Sequence, residues 1–276
     1  MSDSQRFPVL FIPHGGGPWP FMDFPAGGDG KTPWADLGAF LRGLDHQIGR
    51  RPKAVLMISG HWENEPVPTV STAEHPGMLY DYRGFPPETY ELSYPAAGSP
   101  ELAARAKTLI EGAGMDVGES AERNFDHGVF IPMMLVYPDA DVPIMMLSMK
   151  NTLDAETHLA IGRALEPLRD EDVLIIASGM TYHNMRMFYS DDAQHQKQAI
   201  RFDDWLTDAV EKDDVVERAA LLSSWEQNRD ALACHVPDHD HLVPLFVAAG
   251  AAGSDRGHRI FKGEFLGKPY SGYRFG

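Results

Sequence analysis

The residues of this chain best suited to chemistry are its twelve histidines, and they are unevenly placed. His14 follows the apolar run Val9–Pro13 and precedes Gly15, Gly16 and Gly17. His61 follows the run Ala54–Ser59 across Gly60. His183 follows Val173–Ala177 after the segment Ser178 to Tyr182. His235, His239 and His241 crowd the segment HVPDHDH, and His127 sits in Asp126-His127-Gly128. Several neutral imidazoles around one point suit a divalent transition metal: Zn, Fe, Ni or Cu. The spacing matches neither a zinc finger nor HExxH. The single cysteine, Cys234, excludes a Cys-type structural zinc site. The competing reading of the constellation is a hydrogen-bonded polar network. For His46, His75, His158, His195 and His258 the expectation is an ordinary surface or hydrogen-bonded role. Within 235–241 only one histidine is expected to matter.

These side chains need elements to carry them. Val9–Pro13, Ala54–Ser59, Ile144–Met149 and Val173–Ala177 are short continuous apolar runs, the pattern of buried parallel strands. Helical patterns alternate with them. Asp36–Ile48 has apolar residues at spacings of three and four. Ser99 and Pro100 form an N-cap and first turn for a helix reaching about Glu111. Asp154–Leu168 and Gln196–Val210 are two more. A last helix should start near His241, with Asp240 as its cap and Pro244 in its first turn, and end before Gly250. The alternation predicts an α/β fold. It would be a single three-layer domain over residues 1–276, with a central mixed or largely parallel sheet and helices on both faces. In such sheets ligands bind at the carboxyl ends of strands, where His14, His61 and His183 converge if their strands run parallel. The loop Glu65–Pro100 is long and carries Tyr80, Tyr82, Phe85, Tyr90 and Tyr94. Loops of this length usually wall a site. The alternative use of these aromatics is a contact in a homodimer.

Composition narrows the function. Acidic residues outnumber basic ones, 40 to 24, for a formal charge of -16. That field opposes phosphate backbones, so no nucleic-acid partner is expected. The polar start at Met1-Ser2-Asp3-Ser4-Gln5-Arg6 is neither a signal peptide nor a spanning helix. With one cysteine and no spanning segment, the expectation is a cytoplasmic chain with no membrane partner. His14-Gly-Gly-Gly-Pro has the look of an esterase oxyanion loop, but no GxSxG nucleophile follows. No P-loop and no GxGxxG after a strand is present, so nucleotide chemistry has little support.

Longer stretches resemble the class III extradiol ring-cleavage dioxygenases, in the branch that includes 4,5-DOPA extradiol dioxygenases. They are FIPHGGGP at 11–18, ISGHW at 58–62, GFPPETYELSYPAAGSPELA at 84–103 and FDHGVF at 125–130. YPDADVPIMMLSM at 137–149, IIASGMTYHN at 175–184 and HDHLVPLFVAAGA at 239–251 complete the series. One departure is HGGGPWP in the first loop, where many relatives carry HGSP.

The resemblance implies metal ligands at His14, His61 and His241. It implies an acid/base role for His183, which some relatives group with the metal ligands as a fourth, and a substrate contact at His127. His183 and His127 are thus the expected catalytic pair. Gly15, Gly16, Trp19, Tyr80, Tyr82 and Asp126 are the expected substrate contacts, with Phe21 beside them. The implied cofactor is Fe(II), with Zn(II) able to occupy the same nitrogens. The implied partners are O₂ and a small aromatic diol, DOPA-like or carboxylated. Two alternatives use the same histidines: a zinc hydrolase activating water, and a non-catalytic metal-binding protein on the same scaffold.

Overall fold

A computed structural model describes residues 6–23, 34–237 and 239–276. The polar start before Arg6 lies outside them. In chain order the elements are β1 (Val9–Pro13), α1 (Ala35–Ile48), β2 (Ala54–Ser59), β3 (Thr69–Ser71) and α2 (Pro100–Gly112). β4 (Gly118–Ser120), α3 (His127–Val136), β5 (Ile144–Leu147), α4 (Ala155–Leu165) and β6 (Val173–Gly179) follow. α5 (Ala193–Val210), α6 (Val215–Ser223), α7 (Arg229–Cys234), α8 (Val243–Ala251), β7 (Gly257–Phe265) and β8 (Lys268–Phe275) complete the chain. Among the described residues no helix is long and apolar enough to cross a membrane.

The strands form one sheet in the order β4-β3-β5-β2-β6-β1-β8-β7. Its centre, β5-β2-β6-β1, is parallel throughout. Every residue of these four strands is buried, which is why they read as unbroken apolar runs. β3 joins β5 antiparallel, and β8 joins β1 antiparallel, so the sheet is mixed at both sides. Helix α8 packs over β6 and β1 with α4 against it, while α3 packs over β2 and β6 with α1 against it. These two helix pairs share strands without packing on each other and so cover opposite faces. The α/β expectation holds, with helices on both faces.

The four strands predicted from the sequence are present, with small shifts: β5 stops at Leu147 and β6 continues to Gly179. Ser99 caps α2 as expected, accepting from the Leu102 N–H. Three helices differ at their bounds. α5 begins at Ala193, three residues before the expected Gln196, because Asp192 caps it by accepting from Gln194 N–H and His195 N–H. The segment predicted as Asp154–Leu168 is α4 followed by a 3-10 turn, Glu166–Asp170, because Pro167 cannot continue the helical bonds. α8 starts at Val243, two residues later than expected, with Leu242 at its cap, and runs through Gly250 to Ala251 rather than ending before Gly250, which packs against α4 inside the helix. Asp240 does not cap it; its carboxylate is used on imidazoles, as described below. The sequence does not reveal β3, β4, α3, α6, α7 or the C-terminal hairpin. α3 is apolar on nearly every side and has no helical stripe to detect. The β7–β8 turn is Leu266-Gly267, both at positive φ, the backbone of a two-residue hairpin without the usual Asn-Gly signal.

One close approach holds the helix layer over β6. A Cβ at Gly162 of α4 would stand 2.1 Å from the Val247 carbonyl oxygen, and one at Gly250 of α8 would stand 2.2 Å from that of Leu159. Two helix backbones in direct contact leave no room for a methyl group. Gly162→Ala should therefore lower stability by about 1–3 kcal/mol through overpacking, read as a lower midpoint in urea unfolding.

His235 lies buried beside Phe202 and Trp225, with neither ring nitrogen partnered. Burial pushes its pKa from 6.5 down to about 3. The unfolded chain takes up this proton near pH 6.5 and the folded chain only near pH 3. Between these values the unfolded state binds more protons, so stability falls as pH falls. The cost is about 1.4 kcal/mol per pH unit. His235→Leu should flatten this acid limb, so that stability measured from pH 6.5 to 4 declines less steeply than in the parent.

Candidate metal and active site

The site is built where the parallel strands end. The register sets Pro13 beside Gly179 and Ser59 beside Ser178, so β1, β6 and β2 finish level. The chain leaves them as His14, Met180 and Gly60-His61. Backbone bonds lock these exits: the His14 N–H donates to Gly179 O at 3.2 Å and Gly60 N–H to Ser178 O at 3.0 Å. His241 arrives from the far end of the sequence and docks on the same edge, its carbonyl accepting from Met180 N–H at 2.9 Å. That approach requires glycine at 179, where a Cβ would meet the His241 oxygen at 2.1 Å. His127 is the first residue of α3.

Five imidazoles meet here. Among the described residues, two groups bring metal-ligating atoms within 4.8 Å of one another: His14, His61 and His127, and His183, Asp240 and His241. His61 Nε2 links the groups, at 3.3 Å from His14 Nε2 and 3.2 Å from His241 Nε2. The His183 ring stacks on His241, centroids 3.4 Å apart and planes 14° apart. The His127 ring lies 4.0 Å from that of His61.

Oxygen atoms stand at the other ring nitrogens, and at His14 and His127 their hydrogen bonds set the tautomer. Ser178 donates its hydroxyl to Gly128 O, so its Oγ accepts from His14 Nδ1 at 3.0 Å. His14 Nδ1 therefore carries the proton and Nε2 the lone pair. Asp81 serves two rings: Oδ1 accepts from His127 Nδ1 at 2.7 Å, and Oδ2 lies 3.3 Å from His61 Nδ1. Asp240 Oδ1 accepts from the His241 backbone N–H at 2.8 Å and lies 2.9 Å from His241 Nδ1, outside hydrogen-bond angle. It is also 3.5 Å from His183 Nδ1. Burial, reinforced by the neighbouring imidazoles, holds His14 and His61 well below the ordinary imidazole pKa and His241 at about 4. The three are neutral at pH 7. Nearby imidazoles hold the Asp240 carboxyl far below its usual range despite its burial.

This donor set fits a divalent metal. Ligands at about 2.0–2.1 Å from one ion stand roughly 3.0–3.4 Å apart, which brackets the two Nε2 separations. Carboxylates or a hydroxyl behind each Nδ1 are the usual outer partners of ligating histidines.

A cavity of about 480 Å³ opens over these nitrogens. It is lined by His14, His61, His127, His183 and His241, by Gly15, Gly16 and Gly17, and by Tyr82, Arg83 and Phe85 of the long loop. Trp34, Met180, Met185, Phe188, Tyr189 and Phe265 complete the wall. Of the expected substrate contacts, Gly15, Gly16 and Tyr82 are here. Trp19 is not: its indole N–H donates to His14 O at 2.7 Å and its ring packs under Gly15. Tyr80 stands behind Tyr82, its hydroxyl bonded to Leu92 O, and Phe21 is likewise outside the wall. Asp126 lies beneath the site, fully buried, accepting from Ser59 Oγ at 2.7 Å and paired with Arg123. Trp19, Tyr80 and Asp126 thus brace the site from outside the cavity. Tyr94 bonds to Tyr137 O in the core.

Of the 235–241 cluster only His241 joins the site. His235 is in the core, and His239 lies within 3.2 Å of Leu153 O. His158 and His195 are hydrogen-bonded as expected, to Lys150 N–H and to Tyr182 OH. Sequence reasoning missed Asp81 and Ser178 as orienting groups, and Arg83, Met185, Phe188 and Phe265 as walls. Asp81 and Arg83 had one signal, their place beside Tyr80 and Tyr82 in the long loop; the others had none.

Residues 10–275 match the family model of the catalytic LigB subunit of aromatic ring-opening dioxygenase. A 4,5-DOPA dioxygenase extradiol from Beta vulgaris is 37% identical, over 86% of this chain and 88% of its own. A dioxygenase of Hapsidospora irregularis is 36% identical over 98% of this chain and 85% of its own. In structure, an uncharacterized protein of Escherichia coli K12 superposes with a TM-score of 0.77 at 27% identity, over 98% of this chain and 100% of the other. With its sheet edge of converging imidazoles, the chain therefore belongs to the class III extradiol dioxygenases, the family of the LigB catalytic subunit of aromatic ring-opening dioxygenases.

Proposed function

We propose that this chain opens the ring of a catechol with O₂ at a metal held by His14, His61 and His241, the metal being Fe(II). The observation carrying this reading is the trio of Nε2 atoms, 3.2–3.3 Å apart along the His14–His61–His241 chain, at the floor of a mostly apolar cavity. His14, His61 and His241 would hold Fe(II), which would supply Lewis acidity toward a catechol and an electron path between catechol and O₂. The protein does the rest.

Neutral imidazoles leave the net charge of the ion intact, which favours a catecholate anion. The aromatic wall of Tyr82, Phe85, Trp34 and Phe188 takes the ring and keeps water out. His127 has its proton on Nδ1, donated to Asp81, so its Nε2 is a ready base for a catechol hydroxyl. His183 also lines the cavity, stacked face to face on His241. That stacking supports a proton-transfer role for His183 beside the metal rather than on it. The 4,5-DOPA names of the relatives support a substituted catechol as substrate. A zinc hydrolase would use the same nitrogens, but a mostly apolar, aromatic wall serves a flat ring better than a hydrolysable polar bond.

Iron-loaded protein with a substituted catechol and O₂ should give a yellow ring-opened product without added reductant. His61→Ala should give none and hold little metal by elemental analysis. Full metal content in that variant would sink the ligand assignment, and hydrolysis without ring opening would favour the zinc reading.

His183→Gln should keep the metal and most catechol affinity while turnover falls roughly 10²–10⁴-fold, the range of general acid–base catalysis. Loss of metal would make it a fourth ligand. Near-normal turnover would pass its role to His127.

A further inference from the structure

The cavity wall is electrically lopsided. Among its described lining residues are one permanent cation, Arg83, and no aspartate or glutamate. The nearest carboxylates, Asp81 and Asp240, are spent on imidazoles. Arg83 is exposed and has no hydrogen-bond or ion-pair partner among the described residues, although the chain has 40 acidic side chains to 24 basic. It sits between two wall residues of the same loop: Tyr82, whose ring lies 5.8 Å from that of His127, and Phe85, 5.4 Å from Tyr82. A cavity of about 480 Å³ is far roomier than a bare diol requires. Beyond the imidazoles and Arg83 the wall is mostly apolar, with Met185 and Tyr189 largely exposed.

We infer that Arg83 sets substrate specificity by pairing with an anionic substituent, a carboxylate carried on the catechol ring, and that the cavity favours an acid over a neutral or cationic analogue. This rests on the catechol reading above and adds the identity of the side chain. A guanidinium offers a carboxylate two parallel N–H donors. The pairing strengthens when the substrate displaces water from the wall. A substrate ammonium finds no described carboxylate in the lining, and the unpaired guanidinium opposes it. The net charge of -16 repels anions at long range, so this local cation is what lets an acid be held.

The test separates binding from turnover. Zinc-loaded protein is titrated calorimetrically with 3,4-dihydroxyphenylacetate, with its methyl ester and with 2-(3,4-dihydroxyphenyl)ethylamine. The parent should bind the acid about tenfold tighter than the ester, and the amine most weakly. Arg83→Gln, at an exposed position, should erase the acid's advantage and leave the ester's Kd unchanged. Arg83→Glu should reverse the order of acid and amine. In iron-loaded protein the same Gln variant should raise KM for the acid while kcat holds. If both acid and ester bind and their ratio is the same in parent and variant, the role of Arg83 falls and the catechol reading stands. If neither binds the zinc form nor is opened by the iron form, the catechol reading fails and this inference with it.

Discussion

The site depends on the groups that stand at the Nδ1 atoms of its histidines. An imidazole can present either nitrogen, and a ring free to rotate would present neither reliably. Ser178 fixes the proton on His14 Nδ1 because its own proton is committed to Gly128 O. Asp81 fixes His127 and sits against His61, and Asp240 sits against His241 and His183. A carboxylate or hydroxyl behind Nδ1 favours the tautomer whose lone pair lies on Nε2. Three Nε2 atoms within 3.2–3.3 Å of their neighbours crowd one point, as the ligands of a single cation do. The protein holds them there through the rigidity of a sheet edge, which is how a metal site is kept pre-organised.

That rigidity comes from the parallel centre of the sheet. β1, β6 and β2 end in register, so residues far apart in sequence leave the sheet at one level. The glycine at 179 then lets the His241 backbone lie directly on the strand end. The same economy of space appears one layer out, where Gly162 and Gly250 let α4 and α8 touch backbone to backbone. Close packing above the sheet therefore continues into close packing at the site, and the carrier of His241 is the segment leading into α8.

Charge is arranged in shells. The innermost groups are neutral imidazoles, desolvated enough that their protonated forms are disfavoured at pH 7. The next are carboxylates, whose negative charge favours the Nδ1-protonated tautomer and raises the basicity of Nε2. The cavity wall beyond is aromatic and apolar, with one guanidinium. An acidic protein can thus present a cavity whose only fixed side-chain charge among its described residues is positive.

Much of the scaffold is legible along the chain. Unbroken apolar runs announced the four buried strands, because a strand covered on both faces has no polar side to show. A histidine just past each of three of them announced a site at the strand ends, and the order of family-like motifs across the chain announced its chemistry. What the sequence could not show was direction and distance. Asp81 is one of 40 acidic residues, and nothing local marks it as the partner of both His61 and His127. Trp19 and Tyr80 have the composition of a ligand wall but turn their polar atoms to backbone carbonyls, while Phe188 and Phe265 reach the cavity from distant segments. α3 and the β7–β8 hairpin escaped because one is apolar all round and the other turns without the usual residues. Secondary structure follows from short-range pattern and so is legible in order along the chain. Which imidazole meets which carboxylate is a matter of register and packing between segments up to 180 residues apart, as in the His61–His241 contact, and only the folded chain decides it.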